Sequence, residues 1–327
     1  MDWKMMGDPA NIENRNAGNG GDLVKHTVYI ATLRFLLAQE PWIRGLLLRE
    51  CHAGRGVYRI PNGDVRSRLL SCLYSDPVGN GPVLLQDAQR NILGILDCWR
   101  PRGGEVQWYV GSALINAFTL SENQHGLHRL ELYEWQPETR QILRSVLTAA
   151  QAHVHASLSV LQDDDQNREF DGEAYIEQQI SGWGKQNVVL LDPFAMWRQP
   201  SDQAKRNRYG AIVDGLVKHG GDAPSVILFW TWGRAFPIAA GDLNGKVEPV
   251  RNGYGELRAK LHQAGLHFVL VKWRWGLQFA MWVVVPVLHV AALRDHIALH
   301  CDLLSDHLIR HGCSHRLSHP LVEVEVD

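Results

Sequence analysis

The sequence GLLLRECHAGRG occupies residues 45–56 and carries the clearest sign of the fold. Its first half is a short apolar run that ends in Glu50, and its second half is a glycine-rich turn. An apolar run of this length next to turn residues is typical of a buried β-strand. Gly54 and Gly56 have no Cβ atom, which lets the backbone of the turn approach a ligand closely. We therefore predict a strand that ends at a binding site.

Strand and helix patterns alternate along the rest of the chain. Further strands are predicted at residues 127–134, 157–162, 187–192, 225–230, 267–273 and 279–285, and helices at residues 137–150, 172–180 and 204–219. This alternation predicts an α/β protein with a mainly parallel sheet. Only a few residues separate the last two strands, which indicates an antiparallel hairpin.

Changes in composition divide the chain into four parts. Residues 1–21 are polar and rich in glycine and asparagine, and we interpret them as an N-terminal arm. Asp22 is expected to cap a helix that runs to about residue 39. Residues 59–105, with a helical centre at 83–96, are interpreted as a helical insertion. The main domain is then formed by residues 22–58 and 106–290, and residues 291–327 form a C-terminal helix and tail.

The composition excludes several classes of protein. Of the 327 residues, 45% are hydrophobic and 21% are charged, which excludes a largely disordered chain. The 33 basic and 35 acidic residues give a net charge of -2, so only a local basic patch could bind nucleic acid. The five cysteines are odd in number and form no C-x-x-C pair, so neither a disulfide framework nor a cysteine-rich zinc site is expected. No signal peptide and no apolar run of the roughly 20 residues of a membrane span is recognisable, so we expect a cytoplasmic protein.

Acidic residues follow three successive predicted strands. Glu134 comes after the second strand, Asp163 after the third and Asp192 after the fourth. The carboxyl ends of parallel strands form the ligand-binding edge of an open α/β sheet. A carboxylate at the second strand can accept both hydroxyls of a ribose, and one at the third can accept the amino group of an adenine. These positions predict a site for an adenosine-containing cofactor, with helix capping as the alternative role for each acid.

Other nucleotide and hydrolase motifs are incomplete or absent from the sequence. The dinucleotide fingerprint G-x-G-x-x-G requires a third glycine where Arg59 stands, so a dinucleotide is the weaker hypothesis. Neither the GxxxxGK[ST] pattern of P-loop NTPases nor the G-x-S-x-G pattern of α/β-hydrolases occurs. Both of these enzyme classes are therefore disfavoured.

Two longer motifs resemble those of a known family. AGNGGDLVKH (residues 17–26) resembles the AGN-x-x-D-x-x-K-H motif of the RlmJ-type 23S ribosomal RNA adenine methyltransferases. HAGRGVY (residues 52–58) resembles the HAGAGRY turn of the same family. Three shorter landmarks also match, namely Gly111-Ser112, Glu134-x-x-Pro137 and Asp192-Pro193, the last of which belongs to DPPY in the family. The order and spacing agree over most of the chain.

The resemblance implies a class I methyltransferase (Rossmann-like) fold, S-adenosylmethionine as the cofactor, and methylation of the exocyclic amine of an adenine in RNA or DNA. The residues that it implies around the cofactor are Lys25, His26, Glu50, His52, Gly54, Gly56, Ser112, Glu134, Asp163 and Asp192. The implied catalytic residues are Asp192, Pro193 and Phe194. A carboxylate and a backbone carbonyl that accept the two N–H bonds of the amine would favour a localised lone pair on its nitrogen.

Two departures from the family pattern bear on the function. The chain has DPFA at residues 192–195, so Ala195 stands where the family has the aromatic residue of DPPY. Residues 13–16 are Glu-Asn-Arg-Asn, where the family has histidine and aromatic residues. Two alternatives to a methyltransferase of RNA or DNA therefore stay open. One is a cofactor-binding, catalytically weak protein that acts through a protein partner, and the other is a methyltransferase of a small molecule or protein.

A basic cluster follows the DPFA sequence, on the side of the predicted sheet where a substrate would enter. The residues expected to contact nucleic acid, with RNA favoured over DNA, are Arg15, Asn19, Arg198, Lys205, Arg206 and Arg208. Arg55 and Arg59 could extend this patch. The alternative role for the cluster is a solvated helix face. We expect a monomer that does not bind membranes.

Histidines recur every four residues near the C-terminus, at His307, His311, His315 and His319. On one helix this spacing would align imidazoles as metal ligands. Gly312 interrupts the pattern, and no nearby carboxylate pattern completes a site. We therefore interpret the segment as a polar helix or tail rather than as a metal site.

Overall fold

The computed structural model describes the following residues, to which the fold, contacts and burial given below refer: 17–40, 42–61, 63–76, 81–97, 106–134, 136–161, 186–191, 226–232, 258–263, 265–275, 277–285, 287–313 and 322–326. The strands within them are β1 (Leu47–Glu50), β2 (Val57–Pro61), β3 (Val106–Val110), β4 (Arg129–Tyr133), β5 (Ser157–Leu161), β6 (Asn187–Leu191), β7 (Val226–Trp232), β8 (His267–Trp275), β9 (Leu277–Val285) and β10 (Val322–Val326). Eight of these strands form the central sheet, in the spatial order β10-β8-β9-β7-β6-β1-β4-β5.

The centre of the sheet is parallel. β1 pairs with β4 on one side and with β6 on the other, and β5 and β7 extend the parallel part outward. From β1 the chain adds β4 and β5 on one side of the sheet, and it then crosses over to add β6 and β7 on the other side. The strand order therefore reverses beside β1, and open α/β sheets bind ligands at such a switch point. β8 and β9 form the predicted antiparallel hairpin, with β9 next to β7. These directions confirm the predicted mainly parallel, Rossmann-like fold of class I methyltransferases.

A second antiparallel strand, β10, lies in the segment interpreted above as a tail. It pairs with β8 from Val322 opposite Trp273 to Val326 opposite Val269. Its sequence, VEVEV, alternates valine and glutamate, which is the pattern of a strand with one solvated face. The strand has only five residues, so its alternation in the sequence is too short to distinguish a strand from a polar tail.

Helix α1 (Gly20–Leu37) begins earlier than predicted. The side chain of Asn19 accepts hydrogen bonds from two backbone N–H groups of the first turn, at 2.7 and 3.1 Å, and so caps the helix. The prediction that Asp22 is the cap is wrong. Asp22 lies inside the first turn, where its charge favours the positive end of the helix dipole. Nearly every residue of α1 is buried, and the helix packs against α4 (Ser112–Ser121) and α6 (Val287–Leu308).

An insertion separates β1 from α4. After the glycine turn the chain enters β2, which pairs with β3 as an antiparallel ribbon. Helices α2 (Val65–Leu73) and α3 (Leu84–Ile95) lie between these two strands in sequence, and α3 matches the helical centre predicted at residues 83–96. The ribbon is not predicted, because each of its strands has five residues and no strict alternation of apolar and polar side chains. Arg59 therefore belongs to a strand of the insertion.

The helices on the outside of the sheet are partly described. Helix α5 (Pro137–Ala150) has its predicted bounds, whereas the helices predicted at residues 172–180 and 204–219 lie outside the described residues. Helix α6 begins at Val287, before the start of the C-terminal part predicted from composition. In the part of the chain that the structure describes, no helix has the length and apolar character needed to span a membrane.

The end of α6 is joined to the insertion by a contact that we call the α6 junction. In it, Cys313 forms a disulfide with Cys72 of α2, across a separation of 241 residues, and the sequence analysis does not predict this bond. The Nε2 atoms of His307 and His311 lie 3.0 Å from the backbone carbonyl oxygens of Cys72 and Asp76. Among the described residues, no three metal-ligating side chains come together. The other two histidines of the predicted cluster lie outside the described residues.

Candidate functional site

The candidate site lies at the carboxyl edge of the sheet, where β1 ends at Glu50. Two backbone hydrogen bonds hold the following turn across this edge. The Cys51 N–H donates to the Leu190 carbonyl of β6 at 3.1 Å. The Ala53 N–H donates to the Tyr133 carbonyl of β4, also at 3.1 Å. The turn therefore spans both strands that neighbour β1, and the sheet fixes its position.

The turn depends on its two glycines. Gly54 and Gly56 have φ angles of 61° and 80°, in the left-handed region that side chains with a Cβ atom rarely adopt. A Cβ atom at Gly54 would lie 2.1 Å from the hydroxyl oxygen of Tyr58. That hydroxyl accepts a hydrogen bond from the backbone N–H of Arg55 at 3.2 Å. Position 54 therefore has room only for glycine.

Glu50 is fully buried and is held by helix α4. One carboxylate oxygen accepts a hydrogen bond from the Ser112 hydroxyl, and the other accepts one from the Asn116 side-chain amide at 3.0 Å. Ser112 and Asn116 are one helical turn apart, so both face the end of β1. The Oδ1 atom of Asn116 is buried without a hydrogen-bond partner in the described part of the chain.

Glu134 follows β4 and is also buried. Its carboxylate accepts hydrogen bonds from the backbone N–H groups of Gly54 at 2.9 Å and Gln136 at 3.0 Å. A carboxylate offers about four lone-pair positions, so two remain after these bonds. Glu134 thus joins the glycine turn to the neighbouring strand and keeps acceptor capacity for a ligand.

Arg55 is the unexpected member of the turn. The sequence suggests it as part of an exposed basic patch, yet only 2% of its surface is exposed. Its Nε atom is buried and has no hydrogen-bond partner among the described residues. Charged side chains at this depth are ordinarily paired. We refer to Glu50, Gly54, Arg55, Ser112 and Glu134 together as the glycine-turn site.

The N-terminal motif, residues 17–26, is folded on itself. The Gly18 N–H donates to the Asp22 carboxylate at 2.9 Å, and the same carboxylate pairs with the Lys25 ammonium at 3.0 Å. Arg66 of α2 donates to the Ala17 carbonyl at 3.1 Å, which ties the motif to the insertion. The side-chain oxygen of Asn19, a predicted nucleic-acid contact, caps α1 instead of pointing freely into solvent.

His26 forms a buried pair with Tyr109 of β3. Burial, and to a smaller extent the positive charge of Lys25, holds the pKa of His26 well below its usual range. Burial raises the pKa of Tyr109 well above its usual range. At neutral pH the imidazole is therefore neutral and the phenol is protonated. We assign the Tyr109 hydroxyl as the donor to Nδ1 of His26 across 2.6 Å.

The structure brings together only some of the predicted site residues. Glu50, Gly54, Ser112 and Glu134 meet at one edge of the sheet, and half-buried His52 lies in the same turn. The predicted site residues that lie outside the described residues are Arg15, Asp163, Asp192, Pro193, Phe194, Arg198, Lys205, Arg206 and Arg208. β5 ends at Leu161 and β6 at Leu191, so Asp163 and Asp192 follow strand ends in sequence. Their roles stay predictions.

Three contributors to the site are missing from the sequence predictions. Asn116 could have been found, because it lies one helical turn after Ser112. Tyr58 is part of the HAGRGVY motif, but the sequence does not reveal that its hydroxyl folds back onto Gly54. Tyr109 gives no signal, because its contact with His26 depends on the pairing of β2 with β3.

Comparisons with known proteins show the fold of the chain. No protein-family model matches the chain, and no curated protein matches it. The chain is similar to the crystal structure of protein LPL1258 from Legionella pneumophila, described under family model DUF519, with 13% identity and a TM-score of 0.56 over 95% of this chain and 98% of that one. A SAM dependent methyltransferase from Aquifex aeolicus matches with 10% identity and a TM-score of 0.37 over 85% and 99% of the two chains. The methyltransferase domain of bacterial CtHen1-CN matches with 8% identity and a TM-score of 0.37 over 81% and 100%. The likeness to the Legionella protein shows a shared fold.

Proposed function

We propose that this chain is an S-adenosylmethionine-dependent methyltransferase that acts on the exocyclic amine of an adenine in RNA. The observation that carries the proposal is the arrangement of two buried carboxylates, Glu50 and Glu134, at the ends of adjacent parallel strands. They flank a glycine turn at the switch point of the sheet, where open α/β sheets bind their ligands. The motifs at residues 17–26 and 52–58 support the same assignment.

The described residues fit an adenosyl cofactor. The two lone-pair positions left on Glu134 match the two adjacent hydroxyls of a ribose. Gly54 lets the backbone approach the ligand, and a Cβ atom there would meet the Tyr58 hydroxyl. The unpartnered Oδ1 atom of Asn116 can accept one further N–H group beside Glu50.

S-adenosylmethionine supplies a methyl group bonded to a positively charged sulfur. The negative charges of Glu50 and Glu134 favour a positively charged ligand at this edge of the sheet. Further residues proposed around the cofactor are Lys25, His26, His52, Gly56, Ser112, Asp163 and Asp192. Neutral His26 can donate from Nε2, because its Nδ1 accepts from Tyr109.

The catalytic part of the proposal concerns residues 192–194. The Asp192 carboxylate would accept one N–H bond of the adenine amine, and the Phe194 carbonyl would accept the other. Pro193 restricts the backbone between these two acceptors. A base in folded RNA must leave its stack to reach such a site, and the basic cluster would hold the neighbouring phosphates.

A methyl-transfer assay tests the proposal. The protein is incubated with S-adenosylmethionine and RNA from cells that lack the corresponding gene, and the RNA is digested to nucleosides for mass spectrometry. We expect new N6-methyladenosine with the wild-type protein and none with Asp192→Ala. Glu138→Ala, which changes an exposed carboxylate on α5, is the control and should retain activity.

The replacement of the DPPY aromatic by Ala195 motivates a second candidate, a cofactor-binding protein with little activity of its own. This candidate predicts binding of S-adenosylhomocysteine without any methylated nucleoside. Methyl transfer to a small molecule, with nucleic acids left unmodified, would instead support the small-molecule alternative. Absence of both binding and transfer would overturn the proposal.

A further inference from the structure

We propose, on the basis of the function proposed above, that Arg55 binds the carboxylate at the amino-acid end of S-adenosylmethionine. The sequence resemblance assigns no cofactor contact to this position. Three features support this assignment: the burial of Arg55, the fixed backbone of the turn around it, and the geometry of the guanidinium group.

Arg55 carries a buried charge that the described residues do not neutralise. The residue is 2% exposed, and its Nε atom has no hydrogen-bond partner in the part of the chain that the structure describes. Within the described ranges, no carboxylate pairs with its guanidinium. The hydrogen bond that Arg55 makes there comes from its backbone N–H group, which donates to the Tyr58 hydroxyl. Arginine stays protonated in proteins, and an unpaired buried charge is costly. Among the described residues this cation has no anionic partner, and a bound anion would supply one.

The backbone around Arg55 is held on both sides. The preceding N–H group, of Gly54, donates to Glu134 at 2.9 Å, and the N–H group of Arg55 itself donates to the Tyr58 hydroxyl at 3.2 Å. Gly54 and Gly56 lie in left-handed conformations on either side. Moving Arg55 to the surface would break these contacts. The same bonds that shape the glycine-turn site therefore fix the backbone position of Arg55.

The degree of burial favours a small ligand over a polymer. With 2% of its surface exposed, Arg55 offers almost no contact area to the phosphates of a folded RNA. A guanidinium group presents two parallel N–H donors that match the two oxygens of a carboxylate. A carboxylate is present at the amino-acid end of the proposed cofactor, whose ribose is assigned to Glu134 on the same turn. Arg55 and Glu134 would then hold the two ends of one ligand.

The position of Arg55 distinguishes this chain from the family that it resembles. In the HAGAGRY motif, alanine stands where this chain has Arg55, and arginine stands where this chain has Val57. Val57 is fully buried in the core. Alanine at position 55 is therefore compatible with a turn of this sequence type, so Arg55→Ala is expected to fold.

The test compares two ligands that differ only in the carboxylate, S-adenosylmethionine and decarboxylated S-adenosylmethionine, by calorimetric titration of the full-length protein. We expect the wild-type protein to bind S-adenosylmethionine about ten- to one-hundredfold more tightly, as one charge-assisted pair would give. In Arg55→Ala the two affinities should become equal, and Arg55→Lys should retain part of the difference. Arg68→Ala, which removes an exposed arginine of α2, is the matched control and should behave as wild type.

Thermal melting separates a binding role from a structural one. Removing an unpaired buried charge should leave the melting temperature of the ligand-free protein unchanged or raise it. Equal weakening of both ligands together with a lower melting temperature would mark a structural role and overturn the proposal. An unchanged affinity for S-adenosylmethionine in Arg55→Ala would also overturn the proposal. The same holds if Arg55→Ala weakens only the binding of RNA. If the wild-type protein binds neither ligand, the proposed function fails as well, so the two failures are distinguishable.

Discussion

The glycine-turn site and the α6 junction both bury polar side chains, but they differ in charge. In the α6 junction the contacts are a disulfide and imidazole groups that lie against backbone carbonyls, as at His307. In the glycine-turn site the buried groups are Glu50, Glu134 and Arg55, which are ionisable. Neutral, bonded groups are sufficient to hold two elements together, whereas the charge of Arg55, which no described residue pairs, destabilises the fold unless a ligand uses it. The comparison therefore contrasts a structural contact with the proposed binding site.

Breaking the disulfide of the α6 junction should have the largest effect on stability. The Cys72–Cys313 bond closes a loop across a separation of 241 residues, so its reduction should lower the free energy of unfolding by about 2–5 kcal/mol. Urea unfolding with and without a phosphine reductant measures this change. Cys72→Ser is the control, since its unfolding should not respond to the reductant. Affinity for S-adenosylhomocysteine should stay within about twofold of wild type, and identical unfolding midpoints in both conditions would contradict the assignment.

Glu50→Ala should have the next largest effect, because the glycine-turn site is also part of the core. The substitution removes the acceptor of the buried Asn116 amide, at a cost of about 1–3 kcal/mol, and that of the half-buried Ser112 hydroxyl, at a smaller cost. Chemical denaturation measures the change. Glu138→Ala on the surface of α5 should stay within about 0.5 kcal/mol of wild type. Equal stabilities of these two variants would show that Glu50 is not held as described.

His307→Ala should destabilise the α6 junction by a smaller amount. His307 is buried and its Nε2 atom lies 3.0 Å from the Cys72 carbonyl oxygen, so the variant loses this bond and some packing, about 1–2 kcal/mol in total. Ligand affinity should not change, whereas substitutions in the glycine-turn site should change it. Exposed His153→Ala is the control. A selective loss of ligand affinity in His307→Ala would remove the distinction between the two regions.

The smallest expected effect is a pH dependence of stability that arises from α6. Burial, followed by the positive charges of His296 and Arg34, lowers the pKa of His300 to about 4. An unfolded histidine titrates near about 6.5, so the unfolded chain binds more protons between these values. The free energy of unfolding should therefore fall as the pH is lowered through that window. Denaturation at several pH values should show a flatter slope in His300→Gln, by up to about one proton, and His153→Gln should keep the wild-type slope.

Most of the central sheet could be predicted from the sequence. Buried parallel strands are short apolar runs, such as Asn187–Leu191, and turn residues separate them clearly from the helices. Apart from β10, each strand of the central sheet lies within about two residues of its predicted bounds. The β2–β3 ribbon and β10 were missed, since their short half-solvated patterns resemble loops. Asp22 precedes the apolar stripe and therefore resembles a cap in the sequence, but Asn19 accepts the free N–H groups.

The site was predictable where it depends on strand ends and not where it depends on packing. Glu50, Gly54 and Glu134 follow from the rule that ligands bind at the carboxyl edge of parallel strands. The burial of Arg55 does not follow from any spacing, because it depends on how the turn packs once it is folded against Glu134 and Tyr58. The disulfide likewise depends on the approach of α6 to α2 in the folded chain.

We propose that the glycine-turn site binds an adenosyl cofactor, and a calorimetric titration with S-adenosylhomocysteine measures this binding. We predict one ligand per chain for the wild-type protein. Glu134→Ala should weaken binding about one-hundredfold, because two hydrogen bonds from ribose hydroxyls to a charged group are lost, while Glu138→Ala should bind as wild type. No binding at millimolar ligand, or equal affinities of the two glutamate variants, would contradict the claim.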